Sequence, residues 1–426
     1  MVPLIDAPTA LRPLSAVLLV LAASLAAAQE AAEVPRLPTI HPASVAVELD
    51  PILDDLALPV SAVPVGDGSG RLLVTQLAGT VVVVEEGVVR AEPFLDLRHR
   101  VTGLEGEQGL FTVALEDDAR ARERGHRPHL VAAFTEIGTG DLVVAAYPTI
   151  GDAQAADPGA EVELLRVPMP EPFHHGGQVA FAPDGTLFVS VGDGQASNHF
   201  LHEYPASAQR FDTLRGKLLR IDPFPIAADP LGRPYGVPAD NPFVGVSEGR
   251  FGESVRDEIW AFGFRNPWKF TFDPASGAIY LANVGQDRWE SIYRVVRGGD
   301  HGWPAREGPE CQTLPEVDVL VDPTCPISTY VEPVVSYAHL ALDPAGGQAV
   351  VGGLIVRDPE LPGLLGRYLY GDFVTGRVWS WDRADDRIEL LLDTDLALTG
   401  IDAGPDGEVL VIGVQGVLAR LVEASE

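Results

Sequence analysis

Cysteine is almost missing: among 426 residues there are only Cys311 and Cys325. Two thiols alone make a poor metal site, which sets thiolate-based metal chemistry aside. Basic residues are also scarce. Lys and Arg number 30 against 61 Asp and Glu, a formal net charge of -31. Nucleic-acid binding through phosphate neutralisation needs clustered cations, so that class is excluded. Long apolar runs are absent as well. The longest, LSAVLLVLAASLAAA, has about 15 residues where roughly 20 are needed to span a bilayer. Stable membrane insertion is therefore not expected. Helical periodicity is scarce too, and DDARARERG (117–125) offers at most a short surface turn of helix.

The short apolar run follows Arg12 and ends in Ala26, Ala27 and Ala28 before Gln29, the pattern of a secretory signal over 1–28. A leader rich in Ala, Glu and Pro over 29–40 is expected to be disordered. The chain is then secreted or periplasmic. In that compartment the two cysteines are expected to pair, closing a loop that stabilises by about 3 kcal/mol.

From about residue 41 to 422, turn signals and apolar strands recur. GDGSGRLLVTQLAGTVVVVEEG (66–87), APDGTLFVSVGDG (182–194), DPASGAIYLANVG (273–285), GRYLYGDFVTGRVWSWD (366–382) and GPDGEVLVIGVQGVLARLV (404–422) share one plan. Each is a turn, a strand, a Gly-containing turn and often a second strand. Self-similar hairpins at wide spacing predict an all-β, six-bladed β-propeller, with a pair of β-sandwiches as the alternative. The Pro-rich stretch 222–245 and the cysteine loop 304–333 read as long insertions between strands.

Four fragments have the wrong polarity for plain core: GEQGL (106–110), HHGGQ with GDG (174–178 and 192–194), GFRNPW (263–268) and NVGQDRWESI (283–292). In a propeller such segments converge on the central channel. His174 can serve as a base toward an alcohol, with Asp193 fixing its tautomer and stabilising the imidazolium. The bland reading is a histidine pair bonded to a loop and an Asp capping a turn. Arg265 and Asn266 offer donors to an anionic or carbonyl oxygen, or a buried salt bridge. Carbonyls at Gly285 and Gln286, with the Glu290 carboxylate, suit a hard cation such as calcium; an ordinary Gly-rich turn is the alternative.

HHGGQVAFAPDGTLFVSVGD, RGKLLRIDP, GRPYGVPADNPF, GFRNPWKFTFDP, VGQDRWESIYRVVRGGDHGWP and GDFVTGRVWSWD occur in this order, together with DGSGRLLVTQLAG and the EQGL fragment. This series resembles the glucose/sorbosone dehydrogenase family of soluble quinoproteins over residues 45 to 421. The resemblance implies a propeller that binds pyrroloquinoline quinone (PQQ) and calcium and oxidises the anomeric hydroxyl of a small-molecule aldose, passing electrons to an external acceptor. It implies His174 as base and Asp193 as its partner. Gln108, Arg265 and Asn266 would contact the cofactor or active site, with Arg265 countering charge on the quinone oxygen. Gly285 and Gln286 would hold calcium near Glu290. His175 receives no role.

Gln178, Trp268 and Val284 depart from the family pattern, and the stretch 396–407 lacks late-blade cations. Arg377 is the nearest candidate for a cation there. The same series resembles hedgehog-interacting propellers, which implies a second function: a non-catalytic module binding a protein or glycan. A lactonase-type calcium propeller is a third reading, with few acidic or amide ligands in the motifs to support it.

Overall fold

The computed structural model describes residues 36–102, 105–151, 153–195, 206–225, 229, 231–314, 319–320, 325 and 329–424. The expected signal and residues 29–35 of the leader lie outside the described residues. Leu37–Glu426 forms one compact unit.

Six sheets, antiparallel apart from one added strand, repeat along the chain as the blades of a propeller, as the hairpin spacing predicts. Their innermost strands are Pro59–Pro64, Leu110–Leu115, Gly176–Phe181, Asn266–Phe272, Val350–Gly352 and Leu398–Ala403, in blades 1 to 6. The last blade is completed from the other end of the chain: Val47–Leu53 pairs antiparallel with Val417–Glu423. Such closure covers the edge of Val417–Glu423 and ties the last blade to the first through the chain itself. Ile40, at the end of the expected leader, already belongs to a strand, Ile40–Pro42, which runs parallel to Ile388–Leu390 of blade 5. The expected surface helix is present as Asp118–Glu123, capped by Asp117.

The continuous apolar strands have a physical reason in this arrangement. Strand His129–Thr135 sends Leu130, Ala132 and Phe134 into the cluster shared with blade 1. Val131 and Ala133, between them, face blade 3. With side chains alternating at period two and both faces covered, every position must be apolar. Six such clusters occupy the six blade interfaces. Each Leu or Phe carried into them contributes about 1.5–3 kcal/mol of transfer free energy.

The expected disulfide joins Cys311 and Cys325. No helix among the described residues is long and apolar enough to cross a membrane.

Candidate active site

The entrances of three inner strands converge on one group of polar side chains. His174 lies just before Gly176–Phe181 of blade 3, Arg265 and Asn266 open Asn266–Phe272 of blade 4, and Glu107 precedes Leu110–Leu115 of blade 2. His174 Nδ1 is 2.8 Å from Asp193 Oδ1. A carboxylate at that distance holds the proton on Nδ1 and leaves the Nε2 lone pair free to accept. The indole of Trp303 donates to Asp193 Oδ2 at 2.8 Å, and the Gln195 amide donates to Oδ1 at 2.8 Å. Burial alone would raise the Asp193 carboxyl; charge from His174 and Arg265 and the bonds from His174 and Trp303 outweigh it and hold it below the usual range. Asp193 is an anion inside protein, matched to stabilising a protonated imidazole.

The backbone gives this pair its precision. His174 has φ 56°, a left-handed conformation that costs a non-glycine residue roughly 1–2 kcal/mol. It is held there by Glu107, whose Oε2 accepts the His174 amide at 2.7 Å. The same oxygen accepts from Asn266 Nδ2 at 3.2 Å, and Asn266 Oδ1 accepts the Gly176 amide at 3.1 Å. Gly192 is required at its position, since a Cβ there would lie 1.9 Å from the His174 carbonyl oxygen. The Asp193 amide donates to the Arg265 carbonyl, so blade 4 also supports the dyad.

Arg265 extends toward the loop after strand Ile279–Val284: its Nε donates to Gln286 Oε1 at 2.9 Å and its guanidinium carbon lies 5.6 Å from the Trp303 ring centre. Asn283 Oδ1 accepts the amides of both Arg265 and Asn266, at 3.0 and 3.1 Å. In the neighbouring loop, Glu307 Oε1 accepts the amides of Gln286, Asp287, Arg288 and Trp289 at 2.8–3.0 Å. A trans peptide sets its N–H and C=O on opposite sides. The carbonyls of Gly285 and Gln286 therefore point away from Glu307.

The structure thus brings together His174, Asp193, Arg265, Asn266 and the Gly285–Gln286 loop. Three other expected residues are placed differently. Gln108 accepts from Thr102 Oγ1 at 2.9 Å, and it is the adjacent Glu107 that bonds His174 and Asn266. Glu290 is fully buried beneath the loop, where it bonds His339 Nε2 at 2.8 Å and the amides of Gly285 and Val350. Burial raises its carboxyl above the usual range, as suits an internal anchor. Arg377 donates to the carbonyls of Pro344 and Gly346 at 2.9 and 2.6 Å and faces Asp393, so it braces a loop of blade 5.

The departures from the family pattern also have locations. Trp268 crosses the channel: its indole donates to Thr399 of blade 6 at 3.2 Å and its ring meets Phe111 of blade 2 edge-on. Beyond it, toward the far ends of the inner strands, lies a cavity of about 310 Å³ lined by Gln178, Lys269 and Asp402 among others. Gln178 Oε1 accepts the Phe270 amide there. Val284 contributes its carbonyl to Arg265 at 3.3 Å. His175 stacks on Phe111, and its two buried ring nitrogens have no hydrogen-bond partner among the described residues.

Sequence reasoning missed Glu107, Trp303 and Glu307. Glu107 stands in the quoted GEQGL fragment, but a turn does not announce which of two adjacent polar residues faces inward. Trp303 stands just before the cysteine-loop insertion and Glu307 within it, and no local pattern specifies the path of that insertion.

Fold and site together define a six-bladed propeller with a buried His–Asp pair at the channel mouth. The model of the Glucose / Sorbosone dehydrogenase family matches residues 56–418, and the chain belongs to this family. The HIPL1 protein of Arabidopsis thaliana is 33% identical over 239 residues, covering 54% of this chain and 32% of that protein. The mouse Hedgehog-interacting protein is 26% identical over 348 residues, 75% of this chain and 42% of that one. The chain thus spans about a third to two fifths of these curated relatives. Among solved structures, the PQQ-bound form of an aldose sugar dehydrogenase from Streptomyces coelicolor superimposes with a TM-score of 0.63 at 19% identity. It covers 90% of this chain and 99% of that one, a likeness of fold.

Proposed function

We propose that this protein is an exported, PQQ- and calcium-dependent dehydrogenase that oxidises the anomeric hydroxyl of soluble aldoses to lactones. The observation that carries this reading is the His174–Asp193 pair, 2.8 Å apart and buried beside Arg265. The equally buried Glu290–His339 pair, also 2.8 Å apart, anchors a loop; the His174–Asp193 pair differs in lying beside Arg265 and Asn266 where three inner strands begin.

The donor set fits the reactive edge of the cofactor: Arg265 and Asn266 are the groups that would hold a quinone oxygen, and the Gly285 and Gln286 carbonyls would hold calcium. When bound, the quinone supplies a two-electron acceptor for the hydrogen on the sugar carbon. The protein's part is proton handling. His174 Nε2 accepts the hydroxyl proton, Asp193 stabilises the imidazolium, and Trp303 keeps the carboxylate on Nδ1. Glu107 and Asn283 fix the main chain from which His174, Arg265 and Asn266 project. Trp268 closes the floor, so substrate enters from the loop side.

A second reading, a non-catalytic propeller that binds a protein or glycan, is favoured by the placement of the cations. A cofactor with three carboxylates needs positive partners, yet Arg377 is committed to loop carbonyls and Lys269 lies beside Asp402, in the cavity beyond Trp268. Titration of the calcium-loaded apoprotein with PQQ, followed by dye reduction on adding aldoses, separates the two. Saturable micromolar binding with aldose-dependent reduction supports the dehydrogenase. Absence of quinone binding transfers the case to the binding module.

A further inference from the structure

We propose that Glu116, His126 and His129 form a three-ligand site for a divalent transition-metal ion of the zinc class, at the opposite end of blade 2 from the dyad. Glu116 directly follows inner strand Leu110–Leu115, and His129 opens the next strand, His129–Thr135. The Glu116 amide donates to the His129 carbonyl at 3.0 Å, so the backbone itself sets carboxylate and imidazole side by side. A six-residue strand is about 20 Å long, which separates this group from Glu107 and His174 at the other end.

One ligand atom from each of the three residues lies within 4.8 Å of the others. The Nδ1 atoms of His129 and His126 lie 3.5 and 3.6 Å from Glu116 Oε2. Those separations are too long for good hydrogen bonds. They match the edge of a tetrahedron, about 3.4 Å, built on metal bonds of about 2.0–2.2 Å. Glu116 is buried, and His129 Nδ1 and His126 Nε2 are buried nitrogens without a hydrogen-bond partner among the described residues. Orphaned buried nitrogens are costly in a native fold and call for a partner. Water could satisfy one; a cation between Glu116 and His129 Nδ1 satisfies that nitrogen and the carboxylate together.

The donor types select the ion. Two imidazoles and one carboxylate suit zinc and its neighbours rather than calcium, which takes six or more oxygens. Phe224, from the insertion of blade 3, packs on both imidazoles with ring centres 5.1 and 4.5 Å away. Arg124 holds that insertion through Asp222 and the Phe224 carbonyl. His126 Nδ1 also lies 2.8 Å from the Arg127 carbonyl, a bond kept if His126 binds through Nε2 and exchanged if it binds through Nδ1. Three protein ligands leave a fourth position for water. Bound metal would tie two strands of blade 2 to each other beneath the blade 3 insertion.

The test is a cobalt titration of the full-length mature protein, stripped with chelator and reloaded with calcium. The expected result is one equivalent of cobalt with the intense visible bands of tetrahedral coordination, displaced by zinc, together with a rise in melting temperature. His129→Ala and the more exposed His126→Gln should each remove the bands, while circular dichroism shows both variants folded. Absence of tetrahedral bands in the parent protein, or bands that persist in both variants, would overturn the site.

Discussion

Glu107 Oε2 lies 2.7 Å from the His174 main-chain nitrogen, so blade 2 fixes the conformation of a residue that belongs to blade 3. The same oxygen reaches Asn266 of blade 4, which makes one carboxylate the tie among three strand entrances. Glu107→Ala leaves the His174 amide without this acceptor and should cost about 1–3 kcal/mol in denaturant unfolding. Aldose-dependent dye reduction should fall tenfold or more. Glu107→Gln keeps an acceptor oxygen and should be milder on both measures; an alanine variant indistinguishable from the parent would remove Glu107 from the account.

Asp193→Asn keeps the shape of the dyad but removes the charge and the constraint on the histidine tautomer. Turnover should drop by about 100- to 10,000-fold, with an unchanged circular dichroism spectrum. A variant retaining more than half the parent rate would show that the pair is structural.

Two buried histidines give stability a dependence on pH. Burial lowers both His175 and His301 to about 4, from an unfolded value near 6.5. Between those values the unfolded chain takes up protons that the native state refuses, so stability is fully present above about pH 6.5. It is lost as pH falls toward 4, by at most about 3 kcal/mol for each residue. Chemical denaturation at pH 7 and pH 4.5 should show the loss. His301→Phe, which keeps a ring against Phe264, should lose less between the two pH values than the parent.

The Cys311–Cys325 bridge joins positions 14 apart in sequence, and its removal should cost about 3 kcal/mol on the chain-entropy model. Cys311→Ser with Cys325→Ser should lower the denaturant midpoint. Because Glu307 belongs to this insertion and Trp303 directly precedes it, quinone affinity should weaken in the same variant, which isothermal titration would report.

Most of the fold could be read from the sequence because a propeller blade is a local object. Hairpins such as Gly176–Phe181 with Leu187–Val191 carry their own strand and turn signals. Closure by Val47–Leu53 could not be read, since pairing with a strand some 370 positions away leaves no local trace. The site divides the same way. His174, Asp193 and Arg265 stand in distinctive fragments beside strands. Glu107 was hidden by its neighbour Gln108, and Glu290 looked like a ligand because its bonds to His339 and Val350 are formed only in three dimensions. The Glu116, His126 and His129 group escaped notice because a single charge and two scattered histidines near a short helix have no family-like pattern.

The most direct measurement compares the parent protein with His174→Ala, both loaded with calcium and PQQ. Quinone absorbance reports binding, and reduction of an acceptor dye on adding a panel of aldoses reports turnover. The account predicts saturable quinone binding by both proteins, with aldose-dependent turnover in the parent and at least a 100-fold loss in the variant. Equal turnover by the two proteins, or no quinone binding by the parent, would contradict it.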